Sequence, residues 1–168
     1  MAPRHPERFG QVAQTAASYG LGLERRSQWT GAGLTGGIFL LDSIGELAGI
    51  YSLADVAIVG GGFAMRGGHN ILEPAFFAKP IVIGPHTENF RDIVEQFRAA
   101  GAIEIIEARK AISIVLELLN DKECAALMGT RARQTLTENA GATARTLSRL
   151  SALLASQDRA LAKPEGSR

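Results

Sequence analysis

The chain has 168 residues, of which 46% are hydrophobic, and it carries a formal net charge of +1 and one cysteine. This length and composition indicate one globular domain with a real core, and so small a net charge gives no broad attraction to nucleic acid. A lone cysteine excludes a disulfide within the chain, no apolar run approaches membrane-spanning length, and we expect neither a membrane span nor a signal peptide.

Short apolar runs alternate with segments of helical spacing over the first two thirds of the chain. The apolar runs predict five strands, at about 21–26, 37–42, 55–60, 80–84 and 102–106. Helical spacing predicts helices at about 7–19, 44–54, 71–78, 90–100, 108–119, 122–139 and 142–155. This alternation predicts an α/β domain over 1–155: a Rossmann-like parallel sheet of four or five strands, helices on both faces, and a helical C-terminus. The polar segment 156–168 is expected to be a disordered tail.

Polar or glycine-rich loops follow several of the predicted strands. In open parallel sheets, ligands bind outside the carboxyl ends of the strands. The loops at 3–5, 43–46, 60–70 and 84–89 are all expected at that edge. Four such loops together are a stronger signal than any one of them, and they predict a ligand site there.

The glycine-rich loop, residues 60–70, lies between a predicted strand and a predicted helix. Its glycines let the backbone turn tightly and let a ligand approach closely, and the N–H groups at the start of the following helix suit a phosphate. Asn70 and Glu73 fit the N-cap and capping-box positions of that helix, as Ser43 and Glu46 do for an earlier one. The same residues are also expected if they only cap the helices and turn the chain. The motif alone therefore does not show whether a ligand binds here.

Several other kinds of site are not indicated by the sequence. There is no Gly-x-Gly-x-x-Gly motif and no Gly-Lys-Ser/Thr ending, so dinucleotide and nucleoside-triphosphate sites lose support. His5, His69 and His86 are too scattered to predict a metal site, and Cys124 has no histidine near it in sequence. We therefore expect no metal and no cofactor.

Seven short motifs nevertheless occur in a characteristic order and spacing. They are Pro3-Arg4-His5-Pro6-Glu7-Arg8-Phe9, Ile44-Gly45-Glu46-Leu47, Ala54-Asp55-Val56-Ala57, Val59-Gly60-Gly61, Arg66-Gly67-Gly68-His69-Asn70, Leu72-Glu73-Pro74 and Gly84-Pro85-His86-Thr87-Glu88-Asn89-Phe90. Each motif is weak alone, but the set is highly specific. Over about residues 3–150 the chain resembles the carboxyl-terminal half of 3-deoxy-D-manno-octulosonic acid (Kdo) transferases.

This resemblance implies a GT-B glycosyltransferase, built from two Rossmann-like domains with the active site in the cleft between them. The family moves Kdo from CMP-Kdo onto a lipid A precursor, at the cytoplasmic face of the inner membrane of Gram-negative bacteria. Its carboxyl-terminal half binds the nucleotide donor. The resemblance therefore implies a role in lipopolysaccharide synthesis, with CMP-Kdo as the partner of this chain, which alone is expected to be soluble.

Carried over motif by motif, the resemblance implies nine CMP-binding residues. They are Pro3, Arg4, Ile44, Gly45, Glu46, Asn70, Ile71, Leu72 and Glu73. Their chemistry agrees with this role, because an arginine suits a phosphate and a glutamate can accept hydrogen bonds from ribose hydroxyls. No catalytic residue is implied here, since the family's general base lies in its amino-terminal half, as do the acceptor surface and the membrane anchor.

The chain also departs from the family pattern, and alternatives stay open. Gly62 stands where members usually have serine, Phe63 stands where they have a smaller aliphatic residue, and the first strand and helix of the donor domain are expected to lie outside the chain. By itself the chain is expected to be inactive. The alternatives are the donor half of another GT-B transferase that uses a UDP-sugar, and a non-catalytic nucleotide-binding remnant.

Overall fold

The structure, a computed structural model, describes residues 1–34 and 37–161. The chain divides into two compact units, which we call the N-terminal unit (Met1–Ala54) and the C-terminal unit (Asp55–Arg168). Each unit has its own sheet of parallel strands, and each is described separately.

In the described residues of the N-terminal unit there are two helices and two strands. A 3-10 turn at Pro6–Arg8 leads into α1 (Phe9–Ser18), and then come β1 (Leu23–Arg25), a second 3-10 turn at Arg26–Gln28, β2 (Ile38–Leu40) and α2 (Leu47–Tyr51). The two strands pair in parallel, with Leu23 opposite Ile38 and Arg25 opposite Leu40. The core of this unit is small: Ala16, Leu40 and Leu41 are its buried hydrophobic residues among those described.

Met1 occupies the position of a further parallel strand beside β2. Its amine donates a hydrogen bond to the Phe39 carbonyl at 2.6 Å, and the Leu41 N–H donates to the Met1 carbonyl at 2.8 Å. This is the bonding pattern of a parallel pair. Pro3 and Arg4 therefore leave the sheet at the carboxyl end of β2.

The C-terminal unit, as far as it is described (to Leu161), contains a three-stranded parallel sheet and four helices. Its elements are β3 (Ala57–Val59), a 3-10 turn (Gly60–Phe63), α3 (Leu72–Phe76), β4 (Ile81–Ile83), a 3-10 turn (Glu88–Phe90), α4 (Arg91–Ala99), β5 (Ile103–Ile105), a 3-10 turn (Ala108–Lys110), α5 (Ala111–Asn120) and α6 (Lys122–Leu161). The strand order is β3-β4-β5, with Val59 opposite Ile83 and Ile83 opposite Ile105.

The central strand of this sheet is buried on both faces, as its run of β-branched residues predicts. Ile81 and Ile83 pack with α3, α4 and α6 in one cluster that includes Phe97. Val82 faces the other way, into a second cluster with Leu118 of α5 and Met128 of α6. Helices thus cover both faces of the sheet, as the sequence predicts.

The five strands lie where the sequence predicts them and all pair in parallel, which confirms the α/β fold class. Each is only three residues long, and hydrogen bonds join them as one sheet of two strands and one of three instead of a single sheet. The helices on either side of the strands are also present, although most begin and end one to three residues inside their predicted bounds.

The C-terminal helix differs from its prediction. A break at Gly141 was expected, but α6 is continuous from Lys122 to Leu161, because one glycine costs a helix only about 1 kcal/mol relative to alanine. Residues 156–161 of the expected tail are helical, and 162–168 lie outside the described residues. Within the described part of the chain, no helix is both long and apolar enough to cross a membrane.

Candidate functional site

Five of the nine residues implied by the resemblance lie in the N-terminal unit, beyond the carboxyl end of β2. Arg4 is exposed and Pro3 half-buried, in the segment that leaves the sheet after Met1. Ile44 and Gly45 lie in the loop that follows β2. The Ile44 side chain is 86% exposed, and Gly45 has a φ of +90° with no atom within 4 Å of where a Cβ would stand. A glycine is needed for that φ, and the open apolar surface beside it suits a flat ring.

Glu46, the fifth residue, is held by two side chains. Arg26 donates from Nε at 3.1 Å and from Nη2 at 2.8 Å, both to Oε1 of Glu46. The Ser43 hydroxyl donates to the other oxygen, Oε2. The hydrogen bond from Ser43, and after it the one from Arg26, hold the pKa of Glu46 below its ordinary value. The carboxylate is therefore ionised and oriented, and its side chain is still 39% exposed.

The capping box predicted from Ser43 and Glu46 is wrong. Helix α2 begins at Leu47, so Glu46 itself is the N-cap, and its side chain makes no capping hydrogen bond. The reason is Arg26, which lies twenty residues earlier and takes the carboxylate away from the helix backbone.

A second carboxylate at the same edge was missed by sequence reasoning. Asp42 accepts hydrogen bonds from the Ser27 N–H at 2.8 Å and the Ser27 hydroxyl at 2.7 Å, and Arg25 lies 3.8 Å away. Its side chain is 5% exposed, and the Ser27 hydroxyl chiefly lowers its pKa. The sequence signal was available: Arg25 ends β1 and Arg26 follows it, while two acidic residues follow β2, and parallel strands bring those ends together.

The other four residues, Asn70 to Glu73, lie at the start of α3 in the C-terminal unit. The Asn70 side chain accepts a hydrogen bond from the Leu72 N–H at 3.0 Å, which is a capping contact although the N-cap position itself is Ile71. Ile71 is buried, so it can reach a ligand only through its backbone. Leu72 and Glu73 are half-buried and Asn70 is exposed.

The physical case for a phosphate at this helix start is weaker than the sequence indicated. Helix α3 has only five residues, so few peptide dipoles add up at its start. The Leu72 N–H already has the Asn70 oxygen as a partner. The chemistry left at this position is hydrogen bonding by the Asn70 amide and the Glu73 carboxylate.

The glycines of the loop at 60–70 pack against their own surroundings. A Cβ on Gly61 would lie 2.5 Å from the His69 ring, and one on Gly62 would lie 2.7 Å from the Gly84 carbonyl oxygen. Backbone hydrogen bonds tie the same loops together, from His86 N–H to the Gly62 carbonyl at 3.1 Å and from Asn89 N–H to the Gly67 carbonyl at 3.0 Å. Gly62 and Gly67 thus permit a close approach between the loops at 60–70 and 84–89, whereas Gly61 accommodates a residue of its own loop.

His69 and Phe63, two further residues of this region, have structural roles. The His69 ring lies against Gly61 and so helps to shape the loop at 60–70. Phe63, the departure from the family pattern, is half-buried and packs on the cluster of Val82 and Met128.

Among the described residues, no group of three or more His, Cys, Asp or Glu side chains could hold a metal ion. The nine implied residues thus fall into one set in each unit. That the two sets form one site stays a prediction.

Comparison with known proteins places the chain in a family. No protein-family model matches it. It is 41% identical over 154 residues to the 3-deoxy-D-manno-octulosonic acid transferase of Bordetella pertussis, covering 89% of this chain and 36% of that protein. The corresponding enzyme of Haemophilus influenzae is 38% identical over 149 residues, covering 88% of this chain and 35% of that protein. The chain therefore spans about a third of the length of the curated relatives it matches.

A solved structure agrees with these relatives. The crystal structure of the C-terminal CMP-Kdo binding domain of WaaA from Acinetobacter baumannii superposes with a TM-score of 0.75 and is 37% identical in sequence. The match covers 80% of this chain and 70% of that domain. The α/β fold thus matches that of a transferase's C-terminal domain, and the chain belongs to the 3-deoxy-D-manno-octulosonic acid transferase family.

Proposed function

We propose that this chain is the donor-binding half of a Kdo transferase. It binds CMP-Kdo, and the complete enzyme transfers Kdo to a lipid A precursor at the cytoplasmic face of the inner membrane. The observation that carries the proposal is the 37% identity and TM-score of 0.75 with a domain described as CMP-Kdo binding.

The nine residues named above supply the chemistry that a cytidine monophosphate requires. Arg4 is an exposed guanidinium, suited to the phosphate. Ile44 and Gly45 offer an open apolar surface for the base. Glu46 and Glu73 are carboxylates that accept hydrogen bonds from the base or the ribose hydroxyls.

The test is calorimetric titration of the purified chain with CMP, UMP and UDP. CMP is expected to bind most tightly. Glu73→Ala should weaken CMP binding by about 1–3 kcal/mol, because ribose or backbone groups lose their partner. Glu95→Ala is the matched control: Glu95 is an exposed glutamate on α4, and its loss should leave the affinity unchanged.

The same titration separates the alternatives. Preference for UDP over CMP would favour a transferase that uses a UDP-sugar. Binding of none of the three nucleotides would contradict a donor-binding role and favour a non-catalytic remnant.

The 168-residue chain alone is expected to bind donor without transferring Kdo. Transfer needs an acceptor hydroxyl held near the anomeric carbon and a base within hydrogen-bond reach of it. Glu46 and Glu73 are both assigned to the nucleotide in this proposal. Incubation with CMP-Kdo and lipid A precursor, followed by mass spectrometry, should show no Kdo-bearing lipid. If the wild-type chain alone formed this lipid and the Glu73→Ala variant did not, the assignment of Glu73 to nucleotide binding alone would be contradicted.

A further inference from the structure

Arg26 and Trp29 flank the candidate site without belonging to the nine residues assigned to CMP. Arg26 follows β1 directly, and Trp29 comes at the end of the short 3-10 turn that Arg26 begins. In the structure Trp29 contacts Arg26, and Arg26 donates hydrogen bonds to Glu46.

The Arg26 guanidinium is fixed on two sides. Its two donors meet one oxygen of Glu46, at 3.1 and 2.8 Å, and its carbon lies 5.8 Å from the centre of the Trp29 ring, within cation–π range. Trp29 is itself fixed, because it meets the Phe39 ring edge-on at 5.9 Å and its indole N–H donates to the Ala32 carbonyl at 2.7 Å.

This arrangement leaves Glu46 little hydrogen-bonding capacity and little uncompensated charge. An ionised carboxylate has about four lone-pair positions. Arg26 fills two of them and Ser43 fills a third, so one acceptor position remains for a ligand. The adjacent guanidinium offsets the negative charge of Glu46, which would otherwise repel a phosphate bound at the same edge.

We propose that Arg26, which lies over the Trp29 ring, is a positioning residue for the donor: it orients and neutralises Glu46 so that this edge of the sheet accepts an anionic nucleotide. The inference rests on the proposed function. It adds that Arg26 discriminates between nucleotides by their charge, although it acts through Glu46 and not on the donor itself.

The test compares CMP with cytidine, which has the same base and ribose but lacks a phosphate carrying nearly two negative charges at neutral pH. Arg26→Gln keeps a donor for Glu46 and the side-chain stem beside Trp29, but it removes the positive charge. We expect it to weaken CMP binding roughly tenfold and cytidine binding less than about threefold, since an uncompensated carboxylate repels only the phosphate. Arg26→Lys, which restores the charge, should recover most of the CMP affinity.

Arg25→Gln is the matched control, because Arg25 carries the same charge one residue away but pairs with Asp42. Arg25→Gln should change the ratio of CMP affinity to cytidine affinity less than about twofold, because Asp42, the partner of Arg25, is not among the residues assigned to the ligand. Glu46→Gln combined with Arg26→Gln should return the ratio to that of the wild type.

The outcomes separate this inference from the proposed function. If the wild type binds neither CMP nor cytidine, the proposed function fails and this inference fails with it. If the wild type binds CMP and Arg26→Gln weakens both ligands equally, or neither, the proposed function stands and the charge role of Arg26 is overturned. Thermal unfolding of each variant shows whether it is folded. Should Arg26→Gln fail to fold, Arg26→Met makes the same comparison, because methionine keeps an apolar stem beside Trp29 without the positive charge. A ratio of CMP affinity to cytidine affinity lowered roughly threefold or more relative to the wild type supports the inference, and an unchanged ratio overturns it.

Discussion

The two units hold the loops at the carboxyl ends of their strands by different means. In the N-terminal unit, two carboxylates and two arginines do this: Asp42 with Ser27 and Arg25, and Glu46 with Ser43 and Arg26. In the C-terminal unit, the loops at 60–70 and 84–89 meet backbone to backbone, with glycines at the closest points.

This difference predicts different vulnerabilities. A loop held by ionised side chains loses its support when those side chains are neutralised, whereas a loop held by steric fit responds to added volume and not to pH. The N-terminal unit also has few buried hydrophobic residues to compensate. The C-terminal unit has two hydrophobic clusters beneath its loops.

The largest effect is expected from Gly84→Ala, which breaks the backbone contact of the C-terminal unit. A Cβ at this position would overlap the carbonyl of Gly62 and the N–H of Phe63, both of which are backbone groups. The overlap can be relieved only by a shift of the backbone at Gly84 or at Gly62 and Phe63. The substitution should therefore lower the free energy of unfolding by about 3 kcal/mol. Urea denaturation measures this loss, which should be the same at pH 5 and pH 8.

Gly60→Ala is the control for that substitution. Gly60 lies in the same 3-10 turn, but no atom lies within 4 Å of where its Cβ would stand. Its substitution should change the free energy of unfolding by less than about 1 kcal/mol. If the two variants were equally stable, close approach of the loops would not be what these glycines provide.

The sequence predicted well what depends on neighbouring residues. The strand Ile81–Ile83 was recognisable because a β-branched run lies between Pro80 and Gly84, and β2, β3 and β5 also contain β-branched residues. The helix content followed from apolar spacing in the same way. The break predicted at Gly141 was wrong, because one glycine costs only about 1 kcal/mol and does not interrupt a helix of 40 residues.

What the sequence could not predict depends on contacts between distant residues. Glu46 was placed in a local capping box because its partner Arg26 is twenty positions away. The glycines of the loop at 60–70 were interpreted as room for a ligand, but nothing in the sequence said that Gly84 approaches Gly62 closely. Similarly, Ile71 was assigned to the ligand by resemblance, and only its burial shows that its side chain belongs to the core.

Asp42→Asn should have the next largest effect, because it breaks the ionic support of the N-terminal unit. A charged hydrogen-bond acceptor is replaced by a neutral one at a nearly buried site, so at pH 7 the free energy of unfolding should fall by about 1–3 kcal/mol. The folded-state pKa of Asp42 is lowered. Its contribution is therefore complete above the ordinary pKa of about 3.9, and it is lost as the pH falls through the lowered folded-state pKa.

The measurement is urea denaturation of the wild type and Asp42→Asn at several pH values between 7 and 2.5. The difference between them should be constant down to about pH 4 and should shrink below it. A difference that stays the same down to pH 2.5 would mean that Asp42 contributes through packing and not through its charge.

The smallest effect is expected from Asp55→Asn, which removes a carboxylate from the C-terminal unit. Asp55 pairs with Lys122 at 3.2 Å, but the two side chains are 70% and 68% exposed. Exposed ion pairs contribute little, so the free energy of unfolding should change by less than about 0.5 kcal/mol. Whatever remains should vanish in roughly 0.5 M salt, where charges in water are screened within a few ångströms. A loss of more than about 1 kcal/mol would show that the C-terminal unit also depends on ionic support, because Asp55 and Asp42 would then stabilise their units alike.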